Sequence, residues 1–191
     1  MSVKPMIETE RLWIRQWITA DLAPFCRLNG DPVAMEFFPA TLTEEQSRDQ
    51  MNRIRQHINQ KGYGFFALER KDTGEFIGFT GLWHPSFTAS FTPCTEIGWR
   101  ILPQHWNQGF ATEAAKACLQ FGFTRLDLSE IVSFTSVHNH RSEKVMQKIG
   151  MQKTLEFNHP KIAPGHYLEK HVLYQISKEK WNENTIDIRN K

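Results

Sequence analysis

Apolar and polar residues alternate along the first part of the chain, and a helical spacing then replaces the alternation. Residues 11–17 (RLWIRQW) alternate as a half-buried β-strand does. A short helix is predicted over residues 19–30, and a longer one runs to residue 62. The longer helix opens with a capping-box pattern, Thr43 and Gln46, ahead of apolar residues at helical spacing. This part of the chain therefore predicts one strand followed by two helices.

The rest of the chain alternates short strands with two further helices. Period-2 or β-branched patterns predict strands over residues 64–70, 75–83, 95–102, 131–137, 152–157 and 166–176. The helices are predicted over residues 111–123 and 140–149, and Gly150 stands where a left-handed C-cap belongs. The order predicts an α/β domain with one mixed sheet flanked by helices. It contains too few regular βαβ units for a doubly wound nucleotide-binding fold.

Composition narrows the functional classes. The 191 residues, 40% hydrophobic and 23% charged, suit one soluble domain over residues 1–177, followed by a polar surface tail over 178–191. A net charge of +2 gives no polybasic signal, so no nucleic-acid partner is expected. The three cysteines form no CxxC pair, so neither a metal site nor a disulfide framework is expected. Free cysteines also fit a reducing compartment, and a cytoplasmic location is therefore expected. No apolar run reaches membrane-spanning or signal-peptide length.

Residues 101–119 (ILPQHWNQGFATEAAKACL) predict a strand end, a short loop and a helix start. A helix start has unpaired N–H groups and a positive dipole end, which together suit an anion. Gly109 lets the backbone approach a ligand closely, and Ala111 leaves the helix start uncrowded. The same pattern also fits a plain strand–loop–helix joint with a capping threonine and no ligand. The loop lacks the lysine of a P-loop and the three glycines of a dinucleotide fingerprint.

Residues 138–151 (HNHRSEKVMQKIGM) predict a second helix with polar groups at its start. Ser142 shares an apolar stripe with residues 145, 146 and 149, so its hydroxyl needs a partner such as a backbone carbonyl or a ligand thiol. It also fits as a small packing residue. Asn139 fits as the helix N-cap. The basic row of Arg141, Lys144 and Lys148 fits a solvated face. The HNH triplet is not interpreted as a metal site, because no third ligand is suitably spaced.

Together these two segments resemble a known family. EIGWR followed by WNQGFATEAA resembles the acetyl-CoA signature of the GNAT superfamily, in particular its Rim-type (ribosomal-protein-alanine N-acetyltransferase-like) subgroup, although Asn107 replaces a glycine. Asn139, three residues before Ser142 on a helix that ends in Lys-x-Gly, resembles the second GNAT hallmark. The similarity runs from about Thr9 to Ser177. It implies a GNAT domain over residues 1–177, with a twisted sheet opened between its fourth and fifth strands.

The resemblance implies acetyl-CoA as co-substrate and assigns its contacts. The strand that pairs with pantetheine would supply Ile97, Trp99, Ile101 and Leu102. The backbone N–H groups that bind pyrophosphate would be those of Gln108, Gly109, Phe110, Ala111 and Thr112. Asn139 would touch the pantetheine arm, or an ordered water, and Ser142 would lie near the thiol.

Direct acetyl transfer to an amine also requires a base, because an alkyl ammonium is not nucleophilic, and an acid for the leaving thiolate. Glu96 is the first candidate base and His84 the second. Glu96 fits equally well as the ion-pair partner of Arg100 on the same strand face. Ser142 is the candidate acid, because Met146 stands where many GNAT enzymes have a tyrosine.

The acceptor implied by the resemblance is a primary amine, either a protein N-terminus or a small molecule. It is expected between the two N-terminal helices and the loop of residues 83–95, which has no acidic cluster for a polyamine. Two other functions remain open: a non-enzymatic acyl-CoA-binding module and an unrelated α/β protein that binds a phosphate ligand. Monomer and homodimer are both compatible with the sequence.

Overall fold

The computed structural model describes residues 5–189, which form one mixed sheet flanked by helices. The strands are β1 Ile7–Glu8, β2 Leu12–Arg15, β3 Phe65–Arg70, β4 Phe76–Trp83, β5 Glu96–Ile101, β6 Glu130–Ser136, β7 Gln152–Asn158 and β8 Lys170–Ser177. The α-helices are α1 Leu22–Gly30, α2 Glu44–Lys61, α3 Phe110–Arg125, α4 His140–Lys148 and α5 Lys178–Arg189. Short 3-10 helices cover Thr19–Asp21 and Pro103–His105. The predicted mixed α/β sheet is confirmed.

The sheet opens between its two central strands. Its order is β1-β2-β3-β4-β5-β6-β8-β7, and every neighbouring pair is antiparallel except β5 and β6. These two parallel strands are joined by a single ladder pair, Glu96 with Val132, and then diverge. Just beyond that pair, the hydroxyl of Ser133 donates to the carbonyl of Ile97 at 2.9 Å. Strand β1 is not among the predicted strands, so β5 and β6 correspond to the fourth and fifth predicted strands. The gap therefore lies where it is expected.

Helices cover both faces of the sheet beside this gap. The predicted capping box is present at the start of α2, where Gln46 N donates to Thr43 Oγ1 at 3.2 Å and Thr43 N to Gln46 Oε1 at 2.8 Å. Helices α1 and α2 pack over β3–β5 through a buried aromatic cluster in which Phe25 contacts Phe79. On the opposite face, α3 lies close to β4 and β5, because its inward side chains are small: Ala114, Ala115 and Cys118.

The C-terminal segment differs most from its prediction. Residues 178–191 lack a clear apolar period and are predicted as a polar surface tail, but up to Arg189 they form helix α5. One aromatic residue anchors the helix, since the Trp181 ring packs 6.0 Å from that of Phe123. The polar and charged residues around Trp181 leave too little apolar periodicity to predict the helix. Residues 190–191 lie outside the described residues, and the independence of a 1–177 domain stays a prediction.

Two smaller differences lie at the ends of strands. Strand β1 has two residues, too few to produce an alternating pattern. Strand β8 begins at Lys170 rather than at residue 166, because a turn occupies residues 166–169, where Glu169 N donates to the His166 carbonyl at 2.8 Å. Within residues 5–189 no helix is both long and apolar enough to span a membrane.

Candidate active site

A cavity of about 580 Å³ opens where β5 and β6 diverge. The loop before α3 and the start of α4 form one side of it, and residues 33–38 after α1 form part of the other. Most of the predicted site residues lie in its wall: Glu96, Ile97, Trp99, Ile101, Gly109, Phe110, Ala111, Thr112, Asn139 and Ser142. The structure therefore gathers residues that lie more than forty positions apart in the sequence.

Two residues predicted to bind the co-substrate lie outside the wall. Leu102 is buried in the core with 5% exposure, and its amide donates to the Ile77 carbonyl at 2.9 Å. The side chain of Gln108 turns back, with Nε2 donating to the Gln104 carbonyl at 2.9 Å. The sequence pattern does not determine which way the two side chains turn. The contact predicted for Gln108 is made by its backbone N–H, which its side-chain direction does not test, and it stays a prediction.

The second candidate base, His84, also lies outside the wall. It is exposed just after β4, where one ring nitrogen, Nδ1, lies 2.9 Å from the Cys94 carbonyl and the other, Nε2, lies 2.6 Å from the Tyr63 hydroxyl. Because a carbonyl only accepts, Nδ1 carries the hydrogen and Nε2 accepts from the tyrosine. Both ring nitrogens thus form hydrogen bonds outside the cavity wall, and the role of His84 as the second candidate base stays a prediction.

The loop before α3 has the backbone of an anion site. Asn107 and Gly109 both adopt left-handed conformations, with φ of 59° and 84°. Gly109 is the N-cap of α3, and no side chain caps the helix there. The expected capping threonine, Thr112, lies instead inside the first turn. Because a helix start leaves its first N–H groups without helical partners, those of residues 110–112 remain available to a ligand beside the cavity.

A network that the sequence analysis does not identify holds this loop. Glu113, in the first turn of α3, accepts from Thr9 Oγ1 at 2.6 Å and from Arg11 N at 2.9 Å. The Arg11 guanidinium also pairs with Glu113 at 2.7 Å and donates to the Gln108 carbonyl at 2.9 Å. The same guanidinium lies 4.5 Å from the centre of the Phe110 ring. The residues before β2 therefore hold the loop in place. In the sequence, the only local indication of this network is the segment TERL just before a strand.

Glu96 stands at the point where the strands part. Burial raises the pKa of its carboxyl to about 7, and nearby Lys161 partly opposes that rise. The ion pair with Arg100 that the sequence allowed is absent, because Arg100 Nη1 donates to Asn29 Oδ1 at 2.6 Å instead. Among residues 5–189, none donates a hydrogen bond to the Glu96 carboxylate, so both of its oxygens can contact a ligand.

The start of α4 presents a free hydroxyl to the cavity. Asn139 is the N-cap that its position allowed, since its Oδ1 accepts from Ser142 N at 3.1 Å and its Nδ2 donates to Thr135 Oγ1 at 3.0 Å. Ser142 lines the cavity, and its hydroxyl makes no hydrogen bond with any described residue. Met146 is buried, with 1% exposure, one turn further along the helix.

Residues 33–38 form a wall that the sequence analysis does not identify. Glu36 pairs with Arg141 of α4 at 2.5 Å, and its carbonyl accepts from the Tyr167 hydroxyl at 3.1 Å. The segment thereby reaches across the cavity mouth, and its apolar residues line one side. Its signal in the sequence is a mostly apolar segment between the two N-terminal helices, VAMEFFP, which Glu36 interrupts and which has no regular period.

The predicted acceptor loop, residues 83–95, is not in the cavity wall. Its Phe87 and Phe91 pack instead against Phe134, which is in the wall, with ring centres 5.5 and 6.1 Å apart. The loop therefore supports the cavity from behind.

Among the described residues, no group of three His, Cys, Asp or Glu side chains is placed to hold a metal ion.

Comparison with known proteins gives consistent results. A family model described as an acetyltransferase (GNAT) domain matches residues 11–152. The Bacillus subtilis (strain 168) protein YkkB is 34% identical over 154 residues, covering 79% of this chain and 87% of that protein. The N-acetyltransferase named YnaD of the same organism is 32% identical over 178 residues, covering 92% and 99%.

Solved structures share the same fold. A GNAT-family acetyltransferase from Bacillus anthracis matches with a TM-score of 0.77 and 28% identity, covering 91% of this chain and 98% of that one. Spermidine N-acetyltransferase from Vibrio cholerae, solved with CoA and spermine, gives 0.71 at 21% identity, covering 90% and 98%. Ribosomal-protein-S5-alanine acetyltransferase from Vibrio fischeri gives 0.72 at 17%, covering 91% and 97%. At these last two identities the likeness extends to the fold alone.

Proposed function

The chain belongs to the GNAT family of acetyltransferases, and on that premise we propose that it transfers acetyl directly from acetyl-CoA to a primary amine in the cavity between β5 and β6. The protein is an acetyl-CoA-dependent N-acetyltransferase. The observation that carries the proposal is the unpaired carboxyl of Glu96, with a pKa raised to about 7, at the mouth of the gap.

The described residues suit the co-substrate. When bound, acetyl-CoA supplies a thioester as the activated acyl donor. The free N–H groups of residues 110–112 suit its pyrophosphate, because the helix dipole and unpaired donors both favour an anion. Beyond Glu96, the edge of β5 that faces β6 has no ladder partner, so its backbone groups suit the amides of the pantetheine arm. The neighbour from V. cholerae was solved with CoA, which supports this assignment.

Glu96 would act as the base. A group with a pKa of about 7 is half ionised at neutral pH, so it can accept a proton from an ammonium group and release it again to solvent. Transfer would run from the amine nitrogen to a Glu96 oxygen, directly or through one water. An ion pair with Arg100 would have lowered the pKa and weakened the base.

Ser142 would act as the acid. Its hydroxyl would donate a proton to the departing sulfur and regain one from solvent. Asn139 would support this role, because its side-chain bond to Ser142 N fixes the first turn of α4 at the cavity wall. Buried Met146, in the next turn, provides no alternative donor.

The acceptor is proposed to be a small molecule or a protein N-terminus with a primary amine. The Rim-type resemblance favours a protein N-terminus, and the fold shared with the S5-alanine acetyltransferase is compatible with it. At 17% identity that neighbour supports no choice of acceptor. The Rim-type assignment therefore stays a prediction.

The test is release of the CoA thiol from acetyl-CoA with N-terminal peptides, amino acids, polyamines and aminoglycosides. Release that depends on one acceptor class, and that falls in the Glu96→Gln variant, is the expected result. Tight acetyl-CoA binding without release from any acceptor would instead indicate a binding-only module. Binding of ATP or NAD without competition from CoA would indicate an unrelated phosphate-ligand protein.

A further inference from the structure

Arg100 places an unpaired positive charge in the wall of the cavity. It extends from β5 on the sheet face covered by α1 and α2, four residues beyond Glu96. Its one hydrogen bond with a described residue runs from Nη1 to Asn29 Oδ1, at 2.6 Å. Its Nε is buried and has no hydrogen-bond partner among the described residues. The Phe38 ring lies 4.0 Å from the guanidinium and covers it without neutralising it.

Neutral groups fix this guanidinium in position. Asn29 is fully buried, and its Nδ2 donates to Ser47 Oγ and to Gln50 Oε1, both at 3.1 Å. Those two bonds determine which end of the amide is oxygen, and they turn the oxygen toward Arg100. The network therefore orients the charge but leaves it uncompensated, which is the arrangement that a binding site for an anion needs.

Arg15 shows how the same chain buries a guanidinium for structure. Its nitrogens reach two carboxylates, Asp21 at 2.7 Å and Glu69 at 2.6 Å. Burying a charge is unfavourable unless it is paired, and Arg15 is paired twice. Arg100 has no carboxylate within ion-pair distance among the described residues, so its missing partner is one that a ligand would bring.

We propose that Arg100 binds a carboxylate of the amine acceptor, so that the acceptor is a carboxylate-bearing primary amine. The inference rests on the proposed N-acetyltransferase function and specifies its substrate class. Gly98 lies between the two charges and has no side chain, while the Phe65 ring sits 3.1 Å from where its Cβ would be. A flat apolar floor thus separates an acidic end, at Glu96, from a basic end. The acceptor lies along it with its amine toward Glu96 and its carboxylate on Arg100.

Matched acceptors test the proposal. CoA release is measured with ω-amino acids, whose amine lies several bonds from the carboxylate, against the corresponding carboxamides, and with peptides that carry Asp or Glu against the same peptides with Asn or Gln in the first two positions. We expect the carboxylate member of a pair to exceed its amide in kcat/KM by roughly 30–100-fold, as for other charge-assisted hydrogen bonds buried in a site. The two sets of pairs separate a free amino acid from an acidic peptide terminus.

The Arg100→Gln variant should raise KM for the carboxylate acceptor until the carboxylate and the amide of each pair are acetylated equally well. Arg100→Lys retains the charge but not the planar fork, so it should keep part of the preference. Arg48→Gln is the matched control, since Arg48 is 52% exposed, pairs with Glu44 and lies on the outer side of α2. Melting temperatures of all three variants establish that each is folded.

Calorimetric binding of the same acceptors to the CoA complex keeps the two hypotheses separate. Equal acetylation of carboxylate and amide by the wild type would overturn the carboxylate site and leave the acetyltransferase function intact. Carboxylates that bind only when Arg100 is present, without any CoA release, would support the site and contradict the proposed transfer. Binding of neither member of any pair would overturn the carboxylate site.

Discussion

Replacing Glu96 with glutamine should stabilise the protein at neutral and alkaline pH while it slows the reaction. The pKa of this carboxyl rises from an ordinary 4.5 to about 7, and burial is the main cause. The folded state therefore binds a proton that the unfolded state releases, and stability falls as the pH rises from 4.5 through 7. The full difference corresponds to about 3 kcal/mol, at 1.36 kcal/mol for each tenfold change in proton affinity.

The variant Glu96→Gln removes this ionisation. Its free energy of unfolding should exceed that of the wild type by about 3 kcal/mol at pH 8 and by less than about 1 kcal/mol at pH 5. In a chain of this size the gain at pH 8 corresponds to a melting temperature roughly 6–12 °C higher. Urea denaturation at the two pH values measures the difference. The exposed Glu45→Gln variant is the control, and it should change stability equally little at both.

The same variant should lose the ascending limb of the pH–rate profile. In the wild type, kcat/KM should show a limb that rises with pH through an apparent pKa of about 7, because only the carboxylate accepts the proton. In Glu96→Gln, kcat at pH 8 should fall roughly 100-fold, with no limb near 7. A limb that persists in the variant would show that another group titrates. Equal stability gains at pH 5 and pH 8 would refute the argument from burial.

Three further substitutions test the rest of the site and the C-terminal helix. Ser142→Ala should lower kcat at least about 10-fold with little change in KM for acetyl-CoA, and an unchanged kcat would remove it from the acid role. Gly109→Ala forces a side chain into a left-handed conformation with its Cβ 3.2 Å from Arg11 Nη2. KM for acetyl-CoA should rise roughly 5–30-fold, and an unaltered KM would contradict a role for this loop in binding. Trp181→Ala should lower the free energy of unfolding by roughly 2–3 kcal/mol in urea, because it removes the contact with Phe123, and a loss below about 0.5 kcal/mol would show that α5 adds little.

Elements with a strong period or a cap are predictable from this sequence, and those held by one contact are not. Helix α2 is predictable because Thr43 and Gln46 form a capping box at its N-terminus and Gly62, with a φ of 78°, caps its C-terminus. Helix α5 is not predicted because its sequence is mostly polar and charged, and the contact of Trp181 with Phe123 leaves no repeated apolar pattern in the sequence. The same holds for β1, whose two residues depend on pairing with β2 rather than on their own pattern.

The residues of the site likewise fall into those that can be predicted from local sequence and those that cannot. Positions defined by their backbone conformation, such as Gly109, can be predicted from the local sequence, because a left-handed turn before a helix favours glycine. Residues that act through distant partners cannot. Arg11 and Glu113 meet across 102 positions, and Glu36 meets Arg141 across 105. No local pattern matches the two members of either pair, because only the folded chain brings them together.

The spacing of Glu96 and Arg100 shows how much a secondary-structure assignment can decide by itself. Opposite charges four residues apart are neighbours on a helix and commonly pair there. On a strand the same four residues span roughly 13 Å, which exceeds what a glutamate and an arginine bridge unless both bend toward each other over the intervening position. On the sequence alone the ion pair has equal weight, because both residues share one strand face, and in the structure Arg100 contacts Asn29 instead. The consequence is chemical, because two charges that cannot neutralise each other stay available at the two ends of one cavity. A ligand with an ammonium and a carboxylate at a matching separation complements both at once, whereas a polyamine finds a partner at one end and repulsion at the other.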